Sequence, residues 1–179
     1  MPTTRKLLTG KDILRALSRL SEILQARGVK ADLYVVGGAA MTLAYRARPS
    51  TRDVDAIFKR KNEVFKAAAQ VAREQTLPDE WLNDSARKFL GRPDRRPRPI
   101  LDLPGVRIMA GSPQYLLAMK VLADRHDRDR ADLRFLIRLL GLKTIKQAER
   151  LFSDVYPDEK IPEDTRARLV ELISQETAV

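Results

Sequence analysis

The sequence predicts a mixed α/β (α+β) fold: a small mixed sheet with its own helices over residues 1–110 and a helical lobe over residues 111–179. Three observations carry that expectation. Short β-period runs alternate with helix-period runs in the first part of the chain. Two apolar runs flank the turn dipeptide Pro104-Gly105. From Ser112 onward every periodic segment is helical.

The elements follow in order. "GKDILRALSRLSEILQARG" repeats Ile13, Leu14, Leu17, Leu20, Ile23 and Leu24 at helical spacing and stops at Gly28, so it is expected to lay one face on a core. "DLYVV" reads as a strand that runs into Gly37-Gly38, and "AAMTLAYRA" as the helix after it. "RDVDAIF" alternates as a second strand, "KNEVFKAAAQVAREQ" is a helix, and "PDEWLNDSARKFL" is expected to form a further short helix with Trp81 in the core. "GRPDRRPRP" has the proline and arginine content of irregular backbone. "ILDL" and "VRIMA" are strands. Ser112 is an N-cap followed by Pro113 in the first turn, opening the helices "QYLLAMKVLADR", "RADLRFLIRLLG", "IKQAERLFSDVY" and "EDTRARLVELIS". There is no internal repeat.

Composition narrows the chemistry. With 44% hydrophobic and 32% charged residues, the 179-residue chain has the makings of a globular core. Its net charge of +10 favours a polyanionic partner such as nucleic acid, or an anionic substrate such as a nucleotide. The absence of cysteine excludes disulfides, cysteine-bound zinc and thiol nucleophiles, and the single histidine, His126, leaves no His-rich metal centre. No apolar run has the length of a bilayer crossing and the N-terminus lacks a secretory h-region, so a cytoplasmic protein without membrane association is expected.

One stretch, "YVVGGAAMTLAYRARPSTRDVDAIF", concentrates the chemistry. Residues two apart on a strand share a face, so Asp53 and Asp55 present their carboxylates side by side while Val54 turns into the core. Like charges that close repel, and a divalent cation relieves the repulsion; oxygen-only ligands suit Mg²⁺ or Mn²⁺. An exposed strand end with Arg46, Arg48 or Arg52 as surface partners would tolerate the same pair. Upstream, Gly37 and Gly38 occupy a strand-to-helix junction where free N–H groups and the absence of side chains admit a phosphate.

Strand, Gly-Gly, helix, then Asp-x-Asp on the next strand resembles the DNA-polymerase-β-like nucleotidyltransferase superfamily. The longer pattern is similar to its AbiEii-type branch, which includes toxins of AbiE-like and MenT-like toxin–antitoxin systems. The likeness extends through "LPDEWLNDSARKF", "SPQYLLAMKVLADR" and "DRADLRFLIRLLGL". It implies that Asp53 and Asp55 hold the metal, that Gly37, Gly38 and Lys120 hold a nucleoside triphosphate, and that an aspartate following the lysine, Asp132 or else Asp129, joins the site, with Asp132 preferred. Lys120 is also conspicuous by itself, since helical spacing sets it among Leu116, Leu117 and Ala123, where a cation must snorkel or meet an anion. In the next helix Leu133, Leu136, Ile137 and Leu140 mark the buried stripe beside Asp129 and Asp132. Arg130, Arg134 and Arg138 line the opposite, solvated face. Many members of the superfamily carry a third metal-site acid on a later strand, and Asp102 is this chain's nearest equivalent. Gly-Gly-Ala also stands where many relatives have Gly-Ser, which removes a phosphate-binding hydroxyl that Ser50 or Thr51 is expected to replace.

Between residues 87 and 98, Arg87, Lys88, Arg92, Arg95, Arg96 and Arg98 face the single acid Asp94, a composition suited to phosphate contacts. The functional expectation is a Mg²⁺- or Mn²⁺-dependent nucleotidyltransferase that moves a nucleotide from an NTP to the 3′ end of tRNA, as the toxin of a toxin–antitoxin pair with a cognate antitoxin. Transfer to a hydroxyl on a partner protein, or a non-catalytic member that binds nucleic acid or a partner, are the alternatives.

Overall fold

The computed structural model describes residues 7–123 and 125–178, with the backbone alone at residues 126 and 127. The fold is α+β, and the chain divides into two compact units: Met1–Lys88 with Pro97–Ala110, and Phe89–Arg96 with Gly111–Val179.

The first unit is built on five strands, β2 (Ala31–Val35), β4 (Val54–Phe58), β5 (Leu82–Asn83), β6 (Arg98–Asp102) and β7 (Val106–Ala110), in the spatial order β5-β4-β2-β7-β6. β2 is parallel to β7 and antiparallel to β4, while β5 runs parallel to β4 and β6 antiparallel to β7. A two-stranded ribbon, β1 (Leu8–Thr9) with β3 (Ser50–Thr51), stands apart from this sheet. Three helices complete the unit: α1 (Gly10–Ala26), α2 (Gly37–Leu43) and α3 (Lys61–Gln75).

Alternation sorts the two sheet faces. Leu33, Val35, Val54, Ala56, Phe58, Val106, Ile108 and Ala110 are buried on one of them, and each large side chain so covered contributes about 1.5–3 kcal/mol. α1 is opened by a capping box between Thr9 and Asp12 and buries Ile13, Leu17, Leu20, Ile23 and Leu24, in contact with α3 and β7. Leu14, counted by spacing into the apolar face, is 40% exposed instead, and Ala16 takes the buried position. The close seating of α1 explains Gly105: a Cβ there would lie 2.0 Å from the Ser21 carbonyl oxygen, while the Gly105 N–H donates to Ser21 Oγ at 2.9 Å. Trp81 is fully buried and donates from Nε1 to the Ala68 carbonyl. The segment expected to be a short helix, residues 78–90, instead supplies strand β5 and then a 3₁₀ helix at Ser85–Phe89. Its Leu82 and Asn83 complete the ladder of β4, a long-range gain that local periodicity does not contain.

The second unit is helical: α4 (Pro113–Ala123), α5 (His126–Leu140), α6 (Ile145–Val155) and α7 (Glu163–Thr177). Ser112 caps α4, its Oγ accepting from Tyr115 N–H at 3.2 Å. α4 is buried from Tyr115 through Val121, the pattern of a helix surrounded by others, and it contacts both α5 and α6. On α5, Leu136 and Ile137 are fully buried. The arginine row faces solvent as expected and also forms a clasp: Arg130 donates to Glu171, and Arg134 and Arg138 both donate to Glu176, joining α5 to α7. Among the described residues no helix is long and apolar enough to cross a membrane.

Candidate active site

Asp53 and Asp55 lie at one end of the sheet of the first unit. β4 begins at Val54, so Asp53 just precedes the strand, and both carboxylates are half-buried while Val54, Ala56 and Phe58 are sealed in the core. Pairing with β2 ends at Val35↔Ala56, and Val36 N–H then donates to the Asp55 carbonyl at 3.0 Å, which brings the start of α2 against the aspartates. Gly37 makes the bend with φ +60°, a left-handed conformation that glycine adopts without penalty, and a Cβ on it would stand 3.5 Å from Asp55 Oδ2. Gly38 is held for a different reason. Its missing Cβ would come within 2.5 Å of Thr51 Oγ1 and 3.0 Å of an Arg48 guanidinium nitrogen. The structure therefore gathers Gly37, Gly38, Thr51 and Asp55 as expected from sequence, and Ser50 adjoins them on β3 beside Thr9. It also adds a half-buried cation, Arg48, one of the three arginines that an exposed strand end would have had as surface partners.

Two further side chains were missed. β5 places Asn83 directly beside Asp55 in parallel register. Asn83 Nδ2 donates to Asp53 Oδ2 at 3.4 Å, and Ser85 Oγ lies 2.7 Å from Asp55 Oδ1 and 2.5 Å from Asn83 Oδ1. A hydroxyl carries one proton, so Ser85 donates to one of these oxygens at a time. The pair thus ties both aspartates to a neighbouring strand. The signal was present in "WLNDS", two apolar residues followed by polar ones, but only strand pairing turns it into a site.

Asp102, the expected third acid, is not brought to this end. In the antiparallel ladder it pairs with Arg107 near the start of β7, whereas Arg98 pairs with Ala110 at the other extremity. Val35 pairs with Ala110 across β2, so Asp102 belongs to the end of the sheet remote from Asp55. There it is exposed and bonds Lys30 at 2.8 Å, and that bond holds its carboxyl below the ordinary range. The strand position flanking Asp55 is filled by an amide, which neither takes a proton at neutral pH nor brings negative charge to a metal. Among the described residues no group of three or more acidic or histidine side chains is placed to hold a cation.

The donor set nevertheless fits Mg²⁺ or Mn²⁺. It is entirely oxygen, half-buried, and anchored by hydrogen bonds. Mg²⁺ is commonly held by one or two protein carboxylates with water and substrate phosphate completing the shell, rather than by an all-protein cage.

In the second unit, Lys120 is 7% exposed and lies 2.7 Å from both Asp129 Oδ1 and Asp132 Oδ2. The sequence placed the lysine on an apolar surface, and the structure supplies the anions that make burial tolerable. An ammonium has three donors, and the two aspartates account for two of them.

The six basic residues between 87 and 98 do not form one continuous loop. Arg87 lies on the 3₁₀ helix, donating to Asp84 at 3.1 Å and to the Phe58 carbonyl at 2.9 Å, so it braces β4 and β5. Asp84 is held below the usual carboxylate range first by its bond from Lys61 and then by Arg87. Arg98 opens strand β6 with its guanidinium 5.3 Å over the Tyr45 ring. Arg87, Lys88 and Arg98 belong to the first unit, and Arg92, Arg95 and Arg96 to the second.

Residues 11–171 fit the family described as "Nucleotidyltransferase of unknown function (DUF6036)". No curated protein and no solved structure matches the chain.

Proposed function

The chain belongs to this nucleotidyltransferase family, and from that premise we propose that it transfers a nucleotide from an NTP to the 3′ end of tRNA with Mg²⁺ or Mn²⁺, as the toxin of a toxin–antitoxin system. The observation that carries the reading is the half-buried Asp53–Asp55 pair beside Gly37, anchored by Asn83 and Ser85. In the reaction the tRNA 3′ hydroxyl would attack the α-phosphate in line, the bond to the β-phosphate would break and pyrophosphate would leave; a cation held by the aspartates would supply neutralisation of the phosphate charge.

The residues of the chain divide the remaining work. Asp53 and Asp55 would ligate the metal, and the hydrogen bonds from Asn83 and Ser85 would fix the orientation of the two carboxylates. Gly37 would offer its backbone to phosphate, while Gly38 lets Thr51 and Arg48 pack closely enough to lend a hydroxyl and a charge, with Ser50 adjoining. Lys120, with Asp132 and Asp129, would serve the triphosphate through its remaining donor, and basic residues would hold the RNA by its phosphates. Asn83 in place of an acid leaves the attacking hydroxyl without a protein base at that position. Deprotonation then falls to a metal-facing carboxylate or to solvent.

Asn83 also favours a second reading, a family member that binds RNA or a partner without turnover. Purified protein would be incubated with Mg²⁺, each labelled NTP and total tRNA, beside an Asp55→Asn variant. Label on RNA, lost in the variant, supports the proposal, and label on protein redirects it to a protein hydroxyl acceptor. No label in any lane, with both proteins equal in RNA binding, sinks catalysis.

A further inference from the structure

We propose that a cleft in the second unit, walled by the Arg92–Arg96 loop, the start of α4 and the end of α6, is a binding subsite for the ribose-phosphate backbone of a single-stranded RNA; the choice of RNA rests on the nucleotidyl-transfer reading. The cleft encloses about 630 Å³, and Gln114, Tyr115 and Leu151 face it together with the three arginines. Binding sites for small ligands and their fragments commonly enclose about 300–1,000 Å³.

The loop is built to be rigid. Gly91 N–H donates to the Tyr115 hydroxyl at 3.1 Å, and Arg92 N–H donates to the Val155 carbonyl at 2.9 Å. Asp94 accepts from Ser112 N–H at 2.7 Å and from Arg96 N–H at 3.0 Å. Gly91 sits so close to α6 that a Cβ would lie 2.5 Å from the Val155 carbonyl oxygen. These contacts hold the backbone that carries Arg92, Arg95 and Arg96, so little ordering cost remains when an anion arrives.

Charge points to the ligand. Two carboxylates line the cleft beside the three arginines, Asp94, which accepts from two backbone amides, and the exposed Asp154, so the arginines leave it net positive, and among the described residues none of the three guanidiniums forms an ion pair. By contrast Arg130, Arg134 and Arg138 of the same unit are each matched to a glutamate. Exposed guanidiniums on a fixed backbone suit bidentate contacts to phosphate. The Gln114 amide can donate to and accept from a ribose hydroxyl or a base edge, and Leu151 offers an apolar wall. Of the six basic residues named from sequence, these three are thereby assigned to RNA.

The test measures binding without turnover. An Arg95→Glu/Arg96→Glu variant of the otherwise unaltered chain is titrated beside its parent with a labelled single-stranded oligoribonucleotide at several salt concentrations without NTP, and separately with a non-hydrolysable nucleoside triphosphate and Mg²⁺. The expected result is a loss of RNA affinity of at least about tenfold, with the salt slope reduced by roughly 1.4 for two phosphate contacts removed. Triphosphate affinity and the circular dichroism melt should be unchanged. RNA affinity within twofold of the parent and an equal salt slope would overturn the proposal. So would an equal loss of triphosphate affinity, which would assign the arginines to the free nucleotide. Because RNA binding is read directly, a protein that transfers no nucleotide can still pass this test, and one that transfers nucleotide can fail it.

Discussion

Replacing Lys120 with methionine would keep most of the side-chain volume while removing the cation between two buried carboxylates. Lys120 and Asp132 are 7% and 2% exposed at the side chain, with Asp129 at 12%, so little solvent is at hand to replace the ammonium. Breaking a buried ion pair by removing one partner costs about 3–5 kcal/mol, mostly the penalty of the uncompensated charge. At about 2–4 °C per kcal/mol for a chain of this length, the melting temperature should fall by about 6–20 °C. Far-UV circular dichroism would follow the helical second unit, while fluorescence of Trp81, the single tryptophan, follows the first. The sign of the interaction is checked by adding Asp129→Asn and Asp132→Asn to the Lys120→Met variant, which should recover more than half of the loss. A Lys120→Met variant that melts within about 2 °C of the parent would refute the reasoning, as would a triple variant less stable than the single one.

Asp55→Asn should lower nucleotide transfer by about 10²–10³-fold, the usual scale for losing one aligned electrostatic group, with an unchanged melt because the residue is only half-buried; a steady-state rate assay beside the melt checks both. Gly105→Ala should destabilise by about 1–3 kcal/mol or more, since its Cβ would meet the Ser21 backbone at 2.0 Å and backbone cannot swing aside; urea unfolding followed through Trp81 reads the loss. The Arg19 guanidinium, bonded at 2.7 Å and 3.1 Å, holds the Glu74 carboxyl at about 2 against an ordinary 4.5. A depressed carboxyl stabilises above its unfolded value and loses that contribution as pH falls through its folded one. Glu74→Gln should therefore flatten the decline in stability between pH 4.5 and about 2. The pair is exposed, so added salt should weaken the same effect, and urea midpoints at pH 2.5 and 7 in low and high salt measure it.

Much of this fold is legible in local pattern because helix and strand periods are properties of neighbouring residues. α1, α3 and the four C-terminal helices lie where their spacing put them, and Ser112 caps α4 as its type predicts. The short pieces were less visible. β1, β3 and β5 have two residues each, too few for a period to register, and they exist because a partner strand supplies their hydrogen bonds.

The candidate site divides along the same line. The sequence by itself set Asp53 and Asp55 two residues apart at the start of a β-period run and Gly37 at a strand-to-helix junction, although Asp53 lies just before strand β4 rather than on it. It also showed that Lys120 was a cation on an apolar surface in need of an anion. Only the tertiary structure decided what answered each demand. Strand pairing placed Asn83 beside Asp55 and carried Asp102 to the other end of the sheet, helix packing delivered Asp129 and Asp132 to Lys120, and contacts with Asp84 and Phe58 took Arg87 from the basic row. The physical reason is range: a side chain's direction is set by its own backbone, whereas its charge partner comes from a segment brought near only when the chain buries its apolar faces.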